Sequence, residues 1–282
     1  MYPTLVRLPA LGLTVSSYHT LILLAAIVCF VIGPRWAERL EGIDRRIMQR
    51  AFLVVAVATF AGGRLHFIIN QWALFAGRPL DALKIWSAGL HASGAIAGLV
   101  LSAIWAAHHW RLPLGQFADG MAPTIGIGIA IARIGCFLQG CCFGLTCTWP
   151  WCMRFPRDTY IYEYHQSLGL LQPGAGATAP VHPLQLYFSA AGLALTAVAL
   201  WTRRRKRYHG EAALAALLTY SVSAAALEFF RADNYPRAYW GPLPQLEWMA
   251  LGMLVATAAA LIAINRNFSP RRHGVTETNT QS

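Results

Sequence analysis

The sequence predicts an all-α integral membrane protein with about seven transmembrane helices. Of its 282 residues, 56% are hydrophobic and only 12% are charged, and the mean hydropathy is +0.43. Charged residues make up roughly 25% of an ordinary soluble domain. This composition excludes most soluble classes and favours helices surrounded by lipid.

Seven apolar segments each have about the 20 residues that a helix needs to cross a bilayer. The predicted spans are residues 16–34, 51–70, 88–107, 118–138, 182–201, 211–230 and 246–264. In the third span, Gly94 and Gly98 have the four-residue spacing that lets two helix backbones approach closely. We expect one membrane-embedded domain over residues 1–266 and a polar, disordered cytoplasmic tail over residues 267–282.

Most of the 23 lysine and arginine residues lie on one side of these spans. They are concentrated in residues 35–50 after the first span, in residues 203–207 after the fifth, and in residues 266–272 of the tail. Because basic loops stay in the cytoplasm, we expect a periplasmic N-terminus and a cytoplasmic C-terminus. The net charge of +11 then indicates contact with anionic lipid, and no nucleic acid is needed to explain it.

The most informative stretch is residues 133–144, where the fourth span ends and the sequence reads RIGCFLQGCCFG. An arginine this close to hydrocarbon is costly unless it pairs with another group or faces a cavity. Its planar guanidinium group also suits a phosphate, because it can hold two oxygens at once. Arg133 therefore predicts a phospholipid head-group site at one face of the membrane.

With this orientation, five spans carry polar side chains to the periplasmic end of the protein. These residues are Arg64, His91, Arg133, His182, Gln185, Tyr187, Glu228 and Arg231. Glu228 and Arg231 are one helical turn apart and can form an ion pair. The set suits the binding of a phosphate diester and the movement of a proton. We expect no metal and no organic cofactor, since the sequence contains no metal-hydrolase or phosphate-loop motif.

Five of the six cysteines lie within 17 residues, where a periplasmic loop predicted over residues 139–181 begins. They are Cys136, Cys141, Cys142, Cys147 and Cys152. Disulfides are the leading interpretation, because the compartment is oxidising and the loop has little else to hold its shape. An odd number leaves one thiol over. A catalytic thiolate near Arg133 and simple packing stay open, as does a metal site, although the two-residue cysteine spacing typical of such sites is missing.

The ordered motifs resemble those of the prolipoprotein diacylglyceryl transferase family, over most of the chain. The resemblance is carried by Tyr18 in the first span, Gly62-Gly63-Arg64, Asp119 with Pro123, Arg133-Ile-Gly, Gly140 with Gly144, His182-Pro-Leu-Gln-Leu-Tyr187, and Glu228-Phe-Phe-Arg231. No one of these motifs is decisive, but seven in the same order are strong.

The resemblance implies transfer of a diacylglyceryl group from phosphatidylglycerol to the lipobox cysteine of a prolipoprotein. Arg133, with Arg64 or Arg231, would hold the phosphate, and His91, His182 or Glu228 would take a proton from the acceptor thiol. Tyr18, Gln185 and Tyr187 would join Arg64 in substrate binding. The expected location is the bacterial inner membrane, multi-pass, with the active site toward the periplasm. The expected partners are phosphatidylglycerol, other membrane lipids and prolipoprotein signal peptides.

Several family residues are replaced in this chain. Ser93 stands where the family has a histidine, Ala224 where it has an arginine, and Cys136 where it has an asparagine. Three alternatives therefore stay open: a diverged transferase with another acceptor, a membrane thiol–disulfide redox protein that uses the cysteine cluster, and a lipid-binding protein without turnover. Against the redox alternative, the sequence contains no Cys-x-x-Cys motif.

Overall fold

The computed structural model describes residues 4–8, 13–77, 79–83, 89–232 and a few later positions, namely 239–240, 243–244, 248, 251–252, 254–255, 257 and 259. The chain is mainly helical over these residues. The helices are α1 (Ser17–Glu41), α2 (Arg45–Asn70), α3 (Trp72–Phe75), α4 (Ala92–His109), α5 (Leu114–Gln139), α6 (Tyr160–Ser167), α7 (Leu184–Arg203) and α8 (Glu211–Glu228). Two short antiparallel hairpins accompany them, β1 (Thr4–Leu8) with β2 (Leu13–Ser16) and β3 (Tyr239–Trp240) with β4 (Leu243–Pro244). A 3-10 turn covers Pro79–Leu83.

Within the described residues, four helices are long and apolar enough to cross a membrane: α1, α2, α5 and α7. The helical membrane class predicted from the composition is therefore confirmed. Helices α4 and α8 coincide with two further predicted spans and have 18 residues each, which corresponds to about 27 Å of helix. The predicted span 246–264 lies mostly, and the predicted tail 267–282 entirely, outside the described residues.

The first two membrane helices are longer than predicted and take up most of the basic segment 35–50. Gly42, at φ 70°, ends α1, and the Asp44 carboxylate caps α2 by accepting hydrogen bonds from the backbone N–H groups of Arg46 (2.8 Å) and Ile47 (3.0 Å). A 25-residue helix is about 38 Å long, whereas the hydrocarbon core is about 30 Å thick. The predicted loop is therefore largely helical, and the two helices carry its arginines beyond the apolar layer.

Neighbouring long helices run antiparallel, which brings particular helix ends together. Gly135, near the end of α5, lies against Tyr18 at the start of α1, while Gly120, near the start of α5, lies against Ala37 near the end of α1. Helix α7 packs along α5, with Ser189 near the start of α7 donating to a carbonyl in the second half of α5. The starts of α1 and α7 therefore lie at the same end of the bundle as the end of α5.

Large apolar side chains on the outer faces of the helices are exposed. Leu23, Val57, Leu101 and Leu193, on four different helices, are 61%, 60%, 68% and 56% exposed. A soluble monomer rarely presents extended apolar surface of this kind to water. These faces are suited to contact with lipid chains.

Helices α2 and α4 pack with their backbones in close contact, as the Gly94 and Gly98 spacing predicts. A Cβ atom at Gly94 would collide with the carbonyl oxygen of Gly62, and one at Gly98 would collide with that of Ala58. Small residues allow this approach, and it positions the start of α4 beside the end of α2.

A polar network joins the helix ends at the opposite side of the bundle. The ammonium group of Lys206 donates to Glu41 (2.5 Å) and to Asp119 (2.9 Å), and Arg203 also pairs with Glu41 (3.1 Å). Although burial opposes it, the hydrogen bonds with Glu41 and Asp119 raise the pKa of Lys206. Asp119 also accepts the backbone N–H of Gly210 (2.9 Å). Part of the basic run 203–207 therefore stabilises the helix ends, in addition to any contact with lipid.

The segment between α5 and α7 has a core of its own, so the expectation that little besides disulfides holds it was wrong. Phe143, Phe155, Ile161 and Val181 are all fully buried against one another. Only one disulfide, Cys147–Cys152, is present among the described cysteines. Isolated β-bridges and α6 complete this small subdomain.

Replacing Gly94 by valine should destabilise the α2–α4 pair, because the added atoms meet the Gly62 backbone, which cannot move aside. The expected loss is about 1–3 kcal/mol, measured by thermal unfolding of the purified protein in detergent. Ala97→Val adds two carbons, where Gly94→Val adds three, and does so on an exposed face of α4. This control should leave the unfolding temperature nearly unchanged. Equal losses in the two variants would contradict this packing.

Acid should loosen the subdomain between α5 and α7 through His165, which is 3% exposed. Burial lowers the pKa of His165 below its ordinary value of 6.5. The neutral ring therefore contributes stability that is complete above about pH 6.5 and is lost as the pH falls through the folded-state pKa. Tryptophan fluorescence followed against pH should show this loss, and His165→Leu, which cannot titrate, should reduce it. An identical pH profile in the variant would refute the assignment to His165.

Candidate functional site

Backbone hydrogen bonds fasten three predicted motifs to one another. The Gly144 N–H donates to the carbonyl of His182 (3.1 Å), and the His182 N–H donates back to the carbonyl of Leu145 (3.0 Å). On the other side, the Leu145 N–H donates to the carbonyl of Phe230 (2.7 Å). A Cβ at Gly144 would lie 2.7 Å from the His182 side chain and 3.0 Å from the Phe230 oxygen, so glycine is required there. This short ladder, residues 144–145 between His182 and Phe230, joins the ends of α5, α7 and α8.

Arg133 lies in the last turns of α5, before the ladder in the sequence. Its guanidinium carbon lies 4.3 Å from the centre of the Phe188 ring, on which the group stacks. Tyr220 on α8 and Arg231 are both within electrostatic range of the Arg133 guanidinium group. Stacking covers one flat face of the guanidinium group and leaves its N–H edge available for an anion.

Arg231 forms the predicted ion pair with Glu228 at the end of α8. The two side chains approach to 3.5 Å, and they are 15% and 10% exposed. Solvent and salt screen an ion pair this far from water less than an exposed one. The site therefore contains a second cation, and a carboxylate that orients it.

The cysteines of this region divide into two groups. Cys147 and Cys152 form the disulfide, while Cys136, Cys141 and Cys142 are free thiols whose sulfur atoms all lie within 4.8 Å of one another. We call these three the thiol cluster. Hydrogen bonds from the other two thiols, together with the guanidinium groups of Arg231 and Arg133, lower the pKa of Cys142 well below its ordinary value.

Two predicted substrate-binding residues border the thiol cluster. Gln185 is fully buried, and its amide nitrogen donates to the carbonyl of Cys141 at 2.6 Å. The oxygen of the same side-chain amide, Oε1, is buried without a hydrogen-bond partner among the described residues. Tyr18, at the start of α1, is within electrostatic range of the cluster and of Arg133.

His182 and Tyr187 form a hydrogen-bonded chain with a residue that the sequence reasoning missed. His182 Nδ1 lies 3.2 Å from the Tyr187 hydroxyl, which also accepts a hydrogen bond from Trp151 Nε1 at 2.8 Å. A cavity of about 420 Å³ opens beside the His182 ring, between the disulfide and Pro180. An imidazole that faces a cavity can exchange a proton with a molecule bound there.

Arg64 and His91 belong to a second group, on α2 and α4. The Arg64 guanidinium donates to the carbonyl oxygens of Ala82 and Gly89, each at 3.2 Å, and so fastens the connection between the two helices. The His91 ring lies 4.8 Å from the ring of His66. These hydrogen bonds give Arg64 a structural role. A role of Arg64 or His91 in substrate binding or catalysis stays a prediction.

Ser93, which stands where the resemblance places a histidine of the family, lies close to two histidine rings. Its hydroxyl lies 2.6 Å from His66 Nδ1 and 3.5 Å from His91 Nδ1. His66 was not among the predicted site residues, although it lies two positions after the Gly62-Gly63-Arg64 motif and could have been suspected on that ground. The His66 imidazole therefore lies within hydrogen-bond distance of the Ser93 hydroxyl.

The other residues that sequence reasoning missed are aromatic. Phe188, Tyr220 and Trp151 each contact or adjoin a predicted site residue. An aromatic residue in a membrane helix gives no sequence signal of function, because lipid-facing and core positions use the same residues. Only the packing identifies these three.

An apolar cavity of about 300 Å³ lies between α1, α2, α4 and α5. Phe52, Phe60, Leu99, Met121 and Ile125 are among its lining residues. Its walls are suited to hydrocarbon, while the Arg133 end of the bundle is suited to a phosphate.

The comparison with known families agrees with this chemistry. The sequence model of the prolipoprotein diacylglyceryl transferase family matches residues 3–263. The similarity thus covers all eight helices and every residue of the site described above.

Individual relatives give the same result. A phosphatidylglycerol–prolipoprotein diacylglyceryl transferase from Wolbachia sp. subsp. Drosophila simulans is 30% identical over 258 residues, which is 86% of this chain and 91% of the relative. Proteins of the same name from Paracidovorax citrulli (30% over 221 residues, 75% and 74% of the two chains) and Synechococcus elongatus (28% over 238 residues, 82% and 78%) are also similar. This chain belongs to the prolipoprotein diacylglyceryl transferase family.

Proposed function

We propose that this protein transfers a diacylglyceryl group from phosphatidylglycerol to the cysteine thiol of a prolipoprotein. Its relatives carry that activity in their names. The observation that carries the proposal is the meeting of two arginines, Arg133 and Arg231, with His182 at one buried end of the helix bundle. Two guanidinium groups suit a phosphate, and an imidazole can accept a proton.

The orientation that we propose has seven spans, a periplasmic N-terminus, a cytoplasmic C-terminus and the active site toward the periplasm of the inner membrane. The distribution of basic residues supports this orientation. The antiparallel packing of α1 and α5 supports it as well, because it collects the site residues at one end and the Glu41–Lys206–Asp119 network at the other. The network end, which also carries the basic run 203–207, would face the cytoplasm.

The two arginines would bind the phosphate of phosphatidylglycerol. Phe188 covers one flat face of the Arg133 guanidinium group, so the phosphate would meet the N–H groups at the edge of that plane. Glu228 holds Arg231 so that its charge stays near the thiol cluster and Arg133. As the bond between the glyceryl carbon and the phosphate oxygen breaks, the electron pair remains on that oxygen. Both cations stabilise the glycerol phosphate that leaves.

His182 would take the proton from the acceptor thiol. When Nδ1–H donates to the Tyr187 oxygen, Nε2 of the neutral ring is left as the proton acceptor. The resulting thiolate attacks the glyceryl carbon and forms the thioether bond. We propose that the signal peptide reaches His182 through the adjacent 420 Å³ cavity, and that lipid chains lie along the apolar helix faces.

Arg133→Ala should reduce the transfer rate about 100- to 1,000-fold, because the charge that develops on the leaving phosphate loses one of its two cations. The measurement uses radiolabelled phosphatidylglycerol and a lipobox peptide with purified protein in lipid nanodiscs. Arg205→Ala removes an exposed cation at the opposite end and should leave the rate unchanged. Full transfer by Arg133→Ala would rule out this mechanism.

His182→Gln should reduce the turnover rate about 100-fold or more, with little change in the KM for phosphatidylglycerol, since the variant loses a proton acceptor and no lipid contact. His91→Gln, on α4, should retain most of the activity. If His91→Gln lost activity and His182→Gln retained it, the proton acceptor would instead belong to the group formed by His66, Ser93 and His91.

Three further outcomes would distinguish the alternatives. A thiol–disulfide redox protein would keep its function in Arg133→Ala and lose it when Cys141 and Cys142 are replaced by serine. A lipid-binding protein without turnover would retain phosphatidylglycerol through purification and transfer no label. Label on a molecule other than the lipobox peptide would identify a diverged acceptor.

A further inference from the structure

The thiol cluster has the dimensions of a metal site. Three thiolates bound to one tetrahedral Zn²⁺ at about 2.3 Å stand about 3.8 Å apart. The sulfur atoms of Cys136, Cys141 and Cys142 already lie within 4.8 Å of one another. Closing around an ion would shorten each sulfur–sulfur distance by at most about 1 Å, which side-chain rotation can supply.

The backbone around these cysteines is held in position from several sides. Gly140 and Cys142 both adopt positive φ angles, 76° and 57°. A positive φ is uncommon for any residue other than glycine and tends to occur at functional sites. The buried amide of Gln185 fixes the carbonyl of Cys141. The conformation that aims the third thiol at the other two is therefore maintained by neighbouring contacts.

The charges nearby also suit a metal–thiolate group. Three thiolates and one divalent cation carry a single net negative charge. Arg133 and Arg231 are both within electrostatic range of Cys142, so they can balance this charge in surroundings where an unbalanced ion is costly.

A disulfide accounts for this cluster less well than a metal does. A disulfide joins two sulfurs and would leave the third thiol alone, whereas all three are mutually close and free. The disulfide of this region is formed by Cys147 and Cys152. From the sequence, a metal site was only one of several open interpretations, because the cysteine spacing, four residues and then none, differs from the two-residue spacing of common zinc motifs.

We propose that Cys136, Cys141 and Cys142 bind one Zn²⁺ ion or a similar thiophilic cation, and that the ion's fourth position binds the acceptor thiol. Among the described residues, no fourth histidine, cysteine or carboxylate belongs to this group. Zinc sites that perform chemistry have three protein ligands and one open position, whereas purely structural sites have four.

The role of the fourth position depends on the proposed transferase function. The acceptor S–H bond breaks as its sulfur binds the ion, and the proton passes to His182. A thiol bound to a cation is deprotonated outright. Its sulfur then forms a bond to the glyceryl carbon while the carbon–oxygen bond to phosphate breaks, and the electron pair leaves with glycerol phosphate. The ion thus does part of the work of the family histidine that Ser93 replaces.

Cobalt binding tests the site without any activity measurement. The purified full-length protein, treated with a chelator, is titrated with Co²⁺, and the thiolate-to-cobalt absorption band is recorded. We expect one equivalent of Co²⁺ that Zn²⁺ displaces. The band should be lost in Cys136→Ser and kept in Cys29→Ser, which removes a free thiol from α1 instead. Should Cys136→Ser aggregate on gel filtration, Cys142→Ser replaces it.

Three binding results would overturn the site: no band in the native chain, an unchanged band in both cluster variants, or a disulfide among the three cysteines in the protein as isolated. Transfer tests the fourth position separately. We expect chelation to reduce transfer about 100-fold and Zn²⁺ to restore it. Transfer that chelation does not affect, in protein that shows the band, would overturn the role of the ion. Metal-loaded protein that shows the band and transfers nothing would overturn the proposed function and leave the metal site standing.

Discussion

The hydrogen-bond ladder of residues 144–145 between His182 and Phe230 is the constraint on which the site depends. It joins the segment after α5 to the start of α7 and the end of α8, and so it fixes the distances between residues that are far apart in the sequence. Gly144 is essential to it, because any side chain would meet His182 and Phe230. Cys142 and Arg231 lie next to this ladder along the chain, and Arg133 is within electrostatic range of both. The ladder therefore holds the thiol cluster and the two arginines near one another.

Most of the fold could be predicted from the sequence, because composition and hydropathy report directly on the environment of a helix. Six predicted spans coincide with long helices, and the Gly94 and Gly98 contact is present. The boundaries were less accurate: α2 begins at Arg45 instead of residue 51 because the Asp44 cap extends it. The small core around Phe143 and Phe155 could not be foreseen, since its residues come from a segment without a regular apolar period.

The site was predicted in part. Arg133, Glu228 and Arg231 are charged, which is unusual in or near membrane helices, so each could be recognised in the sequence by itself. Phe188 and Tyr220, which lie beside Arg133, could not be recognised in this way. They are ordinary residues for such helices, and only the packing reveals them. The thiol cluster is the clearest case: the sequence gives three nearby cysteines, whereas their mutual distances depend on the positive φ of Cys142 and on the Gln185 contact.

The central claim is that Arg133 and Arg231 together hold the phosphate of the donor lipid. The most direct measurement is a cryo-EM structure of the protein in nanodiscs that contain phosphatidylglycerol. We predict a lipid phosphate within hydrogen-bond distance of both guanidinium groups, with the glyceryl carbon facing the His182 side of the site. A phosphate bound at Arg64 between α2 and α4, with Arg133 and Arg231 free of lipid, would contradict the account.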